Sequence, residues 1–147
     1  MENFDVGHMP GDEAVASNFM KADDLFYPCG EQRGEYVKRC YLHSAEHFFD
    51  HRPGDYAGSF NFCLTAPTDY RWDCFNNAAR RIMQNNITKP LFVENLCGSA
   101  PAEFHEACIK GMLVGYTEFF PVPNRGVELC QQVFNKEDQA ICPPSWQ

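Results

Sequence analysis

The chain has 147 residues, 44% of them apolar, enough for one buried core, so wholesale disorder is excluded. Its formal net charge is −8, which argues against a nucleic-acid binder, since phosphates call for a basic face. No apolar run reaches the roughly 18–20 residues of a membrane-spanning helix.

Residues 1–28 read as an acidic N-terminal extension: Glu2, Asp5, Asp12, Glu13, Asp23 and Asp24 stand against Lys21. Met1–Pro10 has no basic start, apolar stretch or small-residue cleavage site of a secretory signal. The chain is therefore expected to be a mature or recombinant form, or to enter its compartment by another route. Residues 12–28 are expected to supply a degenerate helix pair that covers the N-terminal end of the following domain.

From Cys29 the cysteines set a rhythm. Cys29/Cys40, Cys63/Cys74 and Cys97/Cys108 are C-x10-C pairs, and Cys130/Cys142 is C-x11-C. The second members recur every 34 residues. Other positions keep the register: Tyr36, Tyr70 and Phe104; Tyr41, Phe75 and Ile109; Ala45, Ala79 and Leu113; Phe48, Ile82 and Tyr116. Residues 29–147 thus read as a helical repeat domain of three full units and a truncated fourth.

Each unit reads as a long and a short helix. Long helices are expected at 35–51, 69–86 and 102–119, and short ones at 56–63, 91–97 and 125–133. In the second unit Tyr70, Cys74, Phe75, Ala78, Ala79, Ile82 and Met83 form one apolar stripe of a helix. Thr65-Ala-Pro67 and Ser99-Ala-Pro101 put a cap-type residue and a proline ahead of the next long helix.

The first long helix carries His43, His47 and His51 at i, i+4 and i+8, on one stripe. Two such histidines can chelate Zn²⁺ or Cu²⁺, with Glu46 and Asp50 beside them; a solvated polar flank is the alternative. His43-Ser-Ala-Glu46-His47 also matches the H-x-x-E-H pattern of inverted zinc peptidases, although nothing else in the chain supports that chemistry. The matching positions are Asn77, Arg81 and Asn85 in the second unit and Gly111, Gly115 and Phe119 in the third. Mid-helix glycines each cost about 1 kcal/mol against alanine, so something should approach Gly111 and Gly115 closely. That neighbour is either another helix of this chain or a protein partner, with Phe119 as apolar anchor and Asn77 and Arg81 as polar rim. Asn86-Ile87-Thr88 is a glycosylation sequon. His105 is expected to be a structural surface residue.

The cysteine spacing excludes the usual C-x2–4-C zinc patterns and C-x-x-C redox motifs. The twin-cysteine helix hairpins of the mitochondrial intermembrane space are an alternative, but there both cysteines share a helix. Pro67 and Pro101 break that helix here. Structural disulfides remain. Bridging the two helices of one unit, Cys40 to Cys63 and so on, would strand Cys29 and Cys142, whereas local pairing uses all eight cysteines. The expected bridges are Cys29–Cys40, Cys63–Cys74, Cys97–Cys108 and Cys130–Cys142. They imply an oxidising compartment: periplasm, exterior or secretory lumen.

Two-helix units of this length, each with a disulfide, resemble the cysteine-rich Sel1-like repeat proteins secreted by bacteria, a TPR-like class. The resemblance implies an αα-repeat architecture and protein binding, with no catalytic residues to carry over. The expectation is therefore an all-α, disulfide-stapled stack that serves as a non-catalytic interaction module or accessory subunit. A metal-binding protein using the histidine stripe is the alternative.

Overall fold

The computed structural model describes residues 24–118 and 124–147. Among them every regular element is helical. Helices α1 (Glu35–His51), α3 (Thr68–Asn85) and α5 (His105–Glu118) are the long ones. Helices α2 (Tyr56–Leu64) and α4 (Pro90–Gly98) connect them, and the short α6 (Arg125–Glu128) and α7 (Lys136–Gln139) close the C-terminal end.

Local chemistry accounts for the boundaries. Gly34, with φ of 64°, turns the chain into α1 where a side chain would be strained. The Asp55 carboxylate accepts the Gly58 N–H at 3.0 Å and caps α2. Pro90 opens α4, where its missing N–H costs nothing. The hydroxyls of Thr65 and Ser99 act differently from expectation. Each donates at 2.6 Å to a carbonyl three residues back, Phe62 and Leu96, and so ties off the preceding short helix. Pro67 and Pro101 then make the extended step before the next long helix. α5 is preceded by a 3-10 turn, Ala102–Phe104, and α6 runs into a π-turn, Leu129–Val133. The helix pair expected over 12–28 lies largely outside the described residues; the part described, from Asp24, is a set of turns ending in the 3-10 turn Cys29–Glu31.

All four disulfides form as expected, Cys29–Cys40, Cys63–Cys74, Cys97–Cys108 and Cys130–Cys142, and no cysteine is free. The first three tie the end of one short element into the following long helix. The fourth joins the π-turn to the coil after α7. Each closes a loop of about a dozen residues and contributes on the order of 3 kcal/mol through the unfolded state.

α3 is the centre of the molecule. It packs most extensively on α5 and next on α1, and Phe75, Ala78, Ala79, Ile82 and Met83 on it are fully buried. Ring contacts recur along this axis. Tyr41 stacks on Tyr70 at 4.7 Å and meets Phe26 at 5.5 Å; 34 residues on, Phe75 stacks on Phe104 at 4.5 Å and meets Phe60 at 5.5 Å. Both stacked pairs are within 8° of parallel. One more step of 34 residues arrives at Glu94, Ile109 and Asp138.

Candidate functional site

The histidine stripe of α1 is spent on local contacts. The exposed His43 places Nδ1 3.4 Å from Glu46 Oε1, and His51 Nδ1 lies 3.0 Å from the His47 carbonyl, to which it donates. His47 is half-buried, and desolvation pulls its pKa below the ordinary imidazole value despite Asp50, Glu46 and the Leu25 backbone. Among the described residues no group of three or more His, Cys, Asp or Glu side chains is placed to hold a metal ion. Glu46, the base of the H-x-x-E-H pattern, is held below the usual carboxylate range by its hydrogen bond to His43, against the effect of burial. The charges of His43 and Arg81 and the side chain of Asn77 act in the same direction. Asn77 is 2% exposed, and its Nδ2 approaches Glu46 without closing a full hydrogen bond. The polar strip from the histidines to Asn77 and Arg81 therefore exists, as a seam between α1 and α3.

The glycines are the main correction. Gly111 and Gly115 are buried in the interface between α5 and α3, not open to a partner. A Cβ on Gly111 would run into the backbone carbonyl of Asn76, and one on Gly115 would sit 2.5 Å from the Arg80 carbonyl oxygen. The close neighbour is the chain's own helix. Around it Asn76 Nδ2 donates to the Ala107 carbonyl at 3.1 Å, and Arg80 makes two 2.7 Å bonds to the Glu118 carboxylate. Phe119, expected to anchor a partner there, lies outside the described residues. The sequon nitrogen is also engaged: Asn86 Nδ2 donates to Tyr56 Oη and to the Ile82 carbonyl, both at 2.9 Å.

A second cluster of ionisable groups, more deeply buried, lies elsewhere among the described residues. Glu94 on α4 is 6% exposed and Asp138 on α7 is 1% exposed. His105, at the start of α5, is half-buried rather than a surface residue. Its Nδ1 donates to the Cys97 carbonyl at 3.0 Å, and its Nε2 lies 2.5 Å from Asp138 Oδ1. Glu94 accepts the Asn135 N–H at 2.9 Å and also meets the Asp138 carboxyl. Burial and the neighbouring Asp138 push Glu94 above the usual carboxylate range, against the Asn135 N–H and the His105 charge. Burial pulls His105 down, but the Asp138 and Cys97 bonds and the charges of Asp138 and Glu137 outweigh it and leave its pKa raised. Both ring nitrogens are therefore engaged within the chain.

Sequence reasoning missed this cluster. The available signal was the 34-residue register, in which Glu94 follows Phe26 and Phe60, and Asp138 follows Tyr70 and Phe104. Acids at two positions that otherwise carry rings mark a change of chemistry in the core. No protein-family model, curated protein or solved structure matches this chain.

Proposed function

We propose that the chain is an extracytoplasmic, non-catalytic protein-interaction module or accessory subunit, built as a disulfide-stapled stack of αα-repeat units like the Sel1-like class it resembles. The observation that carries this reading is the complete local pairing of eight cysteines in a helical domain. Bridges at this density suit an oxidising compartment and a thin stack whose units each bury little apolar surface. The recurring ring contacts support a repeat. No helix among the described residues is long and apolar enough to cross a membrane, which is compatible with this placement.

The ionisable clusters support a non-catalytic role, because the histidine stripe, Glu46, Glu94, His105 and Asp138 all serve contacts within the chain. Leu91 and Phe92, side by side at the start of α4, leave 58% and 42% of their surface to solvent, which supports contact with another protein. Two measurements on protein taken from its natural source test the reading. Non-reducing peptide mapping should recover the four local bridges; free thiols at most positions would overturn the compartment. Light scattering on the gently isolated protein should give a mass well above the 16.8 kDa of one chain. A lone monomer under all gentle conditions would overturn the accessory-subunit role.

A further inference from the structure

We infer that Glu94, His105 and Asp138 form a proton-operated latch, which holds the C-terminal segment 124–147 on α4 and α5 in mildly acid solution and slackens it as the pH rises. The first support is the register. In two successive layers the corresponding positions hold rings, Phe26, Tyr41 and Tyr70 and then Phe60, Phe75 and Phe104. A third ring set would be the simplest way to seat the last unit. Two buried acids in its place are costly unless paired and hydrogen-bonded. Such a break in a locally consistent pattern is where a specialised role is expected.

The second support is the placement of protons. The Cys97 carbonyl can only accept, so His105 Nδ1 carries hydrogen. The contact of Nε2 with Asp138 Oδ1 needs a second hydrogen between them. Glu94 faces Asp138 across a side-chain hydrogen bond, and burial together with that neighbour favours the proton on Glu94. With these protons in place the set is an imidazolium, one carboxylate and one neutral acid, with no net charge. Losing the carboxyl proton puts two facing carboxylates under the segment, and losing the imidazolium proton then leaves them uncompensated. The charged and titratable groups facing the cluster are Glu94 from α4, His105 from α5, and Asp138 with Glu137 from α7.

The direction follows from which state binds protons more tightly. Glu94 and His105 both hold theirs more tightly in the folded chain than in an unfolded one. The stabilisation they provide is complete in acid. It is lost upward from about pH 4.3 for Glu94 and from about pH 6.5 for His105. The Cys130–Cys142 bridge keeps the segment itself closed, and Leu129 and Phe134 remain buried apolar contacts. Release is therefore a loosening of the seat, not unfolding of the segment.

Amide hydrogen exchange of the full oxidised chain, corrected for intrinsic rates, tests this at about pH 4 and about pH 8.5. Amides of residues 133–142 should lose at least about tenfold in protection relative to those of α3, since one proton released gives up to about tenfold per pH unit. Glu94→Gln keeps a donor for Asp138 and an acceptor for Asn135 without titrating, and should remove much of that slope. Glu94→Phe with Asp138→Phe replaces the acids by rings and should abolish the loss of protection at the higher pH. Equal protection at both pH values in the wild type, or an undiminished slope in Glu94→Gln, would overturn the latch. The ¹⁵N shifts of the His105 ring in the wild type decide the matter even if a variant fails to fold. The ring should titrate above about pH 6.5, and a midpoint at or below that value would overturn the proposal.

Discussion

The N-terminal and C-terminal ends of the core occupy one 34-residue register and fill it with different chemistry. Toward the N-terminus, Phe26, Tyr41 and Tyr70, then Phe60, Phe75 and Phe104, fill successive positions with packed rings. Toward the C-terminus, Glu94, Ile109 and Asp138 take those places, with His105 completing the hydrogen bonds. Ring packing depends on area and shape, so its contribution is unconditional. The acid set stabilises only while its protons are in place. On the proposed latch, the fold keeps one end seated by rings and makes the other end's seating conditional on protons.

The largest effect should come from emptying the ring-filled end. Phe75 is fully buried between Phe60 and Phe104, so Phe75→Ala should cost about 3–5 kcal/mol in denaturant unfolding. The pH slope of exchange at residues 133–142 should survive that loss, and its disappearance would show that the two ends are not separable. Next is the Cys97–Cys108 bridge, which lies between them. Cys97→Ala with Cys108→Ala should lower stability by about 3 kcal/mol, more than the same change at Cys130 and Cys142, where local fraying absorbs the loss. Equal melting shifts for the two pairs would contradict a layered core.

The contact between α3 and α5 carries both ends, and Gly111 sets its spacing. Gly111→Ala drives a methyl into the Asn76 carbonyl, so despite the better helix propensity of alanine it should cost about 1–3 kcal/mol by thermal unfolding. A rise in melting temperature would mean that the two helices separate easily. The smallest expected effect concerns His47, whose burial favours the neutral ring. Its lowered pKa makes stability complete above about pH 6.5 and lost as the pH falls through the folded value. This is opposite in sign to His105, so acid should weaken the α1 end while it firms the C-terminal seat. His47→Gln should flatten the acid limb of a stability–pH curve without touching the alkaline limb. A change confined to the alkaline limb would reverse the assignment of the two histidines.

Most of the architecture was legible because it rests on neighbours close in sequence. The stripe from Tyr70 to Met83 reported the buried face of α3, and Pro67 and Pro101 marked the breaks before the long helices. The glycines were half-legible: the need for a close neighbour followed from the missing side chains, but not which chain would supply it. Glu94 and Asp138 were not read and His105 was taken for a surface residue, because each alone is an ordinary polar residue on a helix or turn.

The sequence alone determined the three long helices, the short helices between them, their order and the four disulfides, while the short α7 was not foreseen. Pairing each cysteine with its neighbour in sequence leaves none over, and loops of about a dozen residues close at little entropic cost. Only the tertiary structure decided that α3 fills the groove at Gly111 and Gly115, and that Glu94 and His105 receive Asn135 and Asp138 from 41 and 33 residues away. Those contacts depend on how whole helices lean on one another. A shift of a side chain's length would leave every local signal unchanged while moving these groups out of hydrogen-bonding reach.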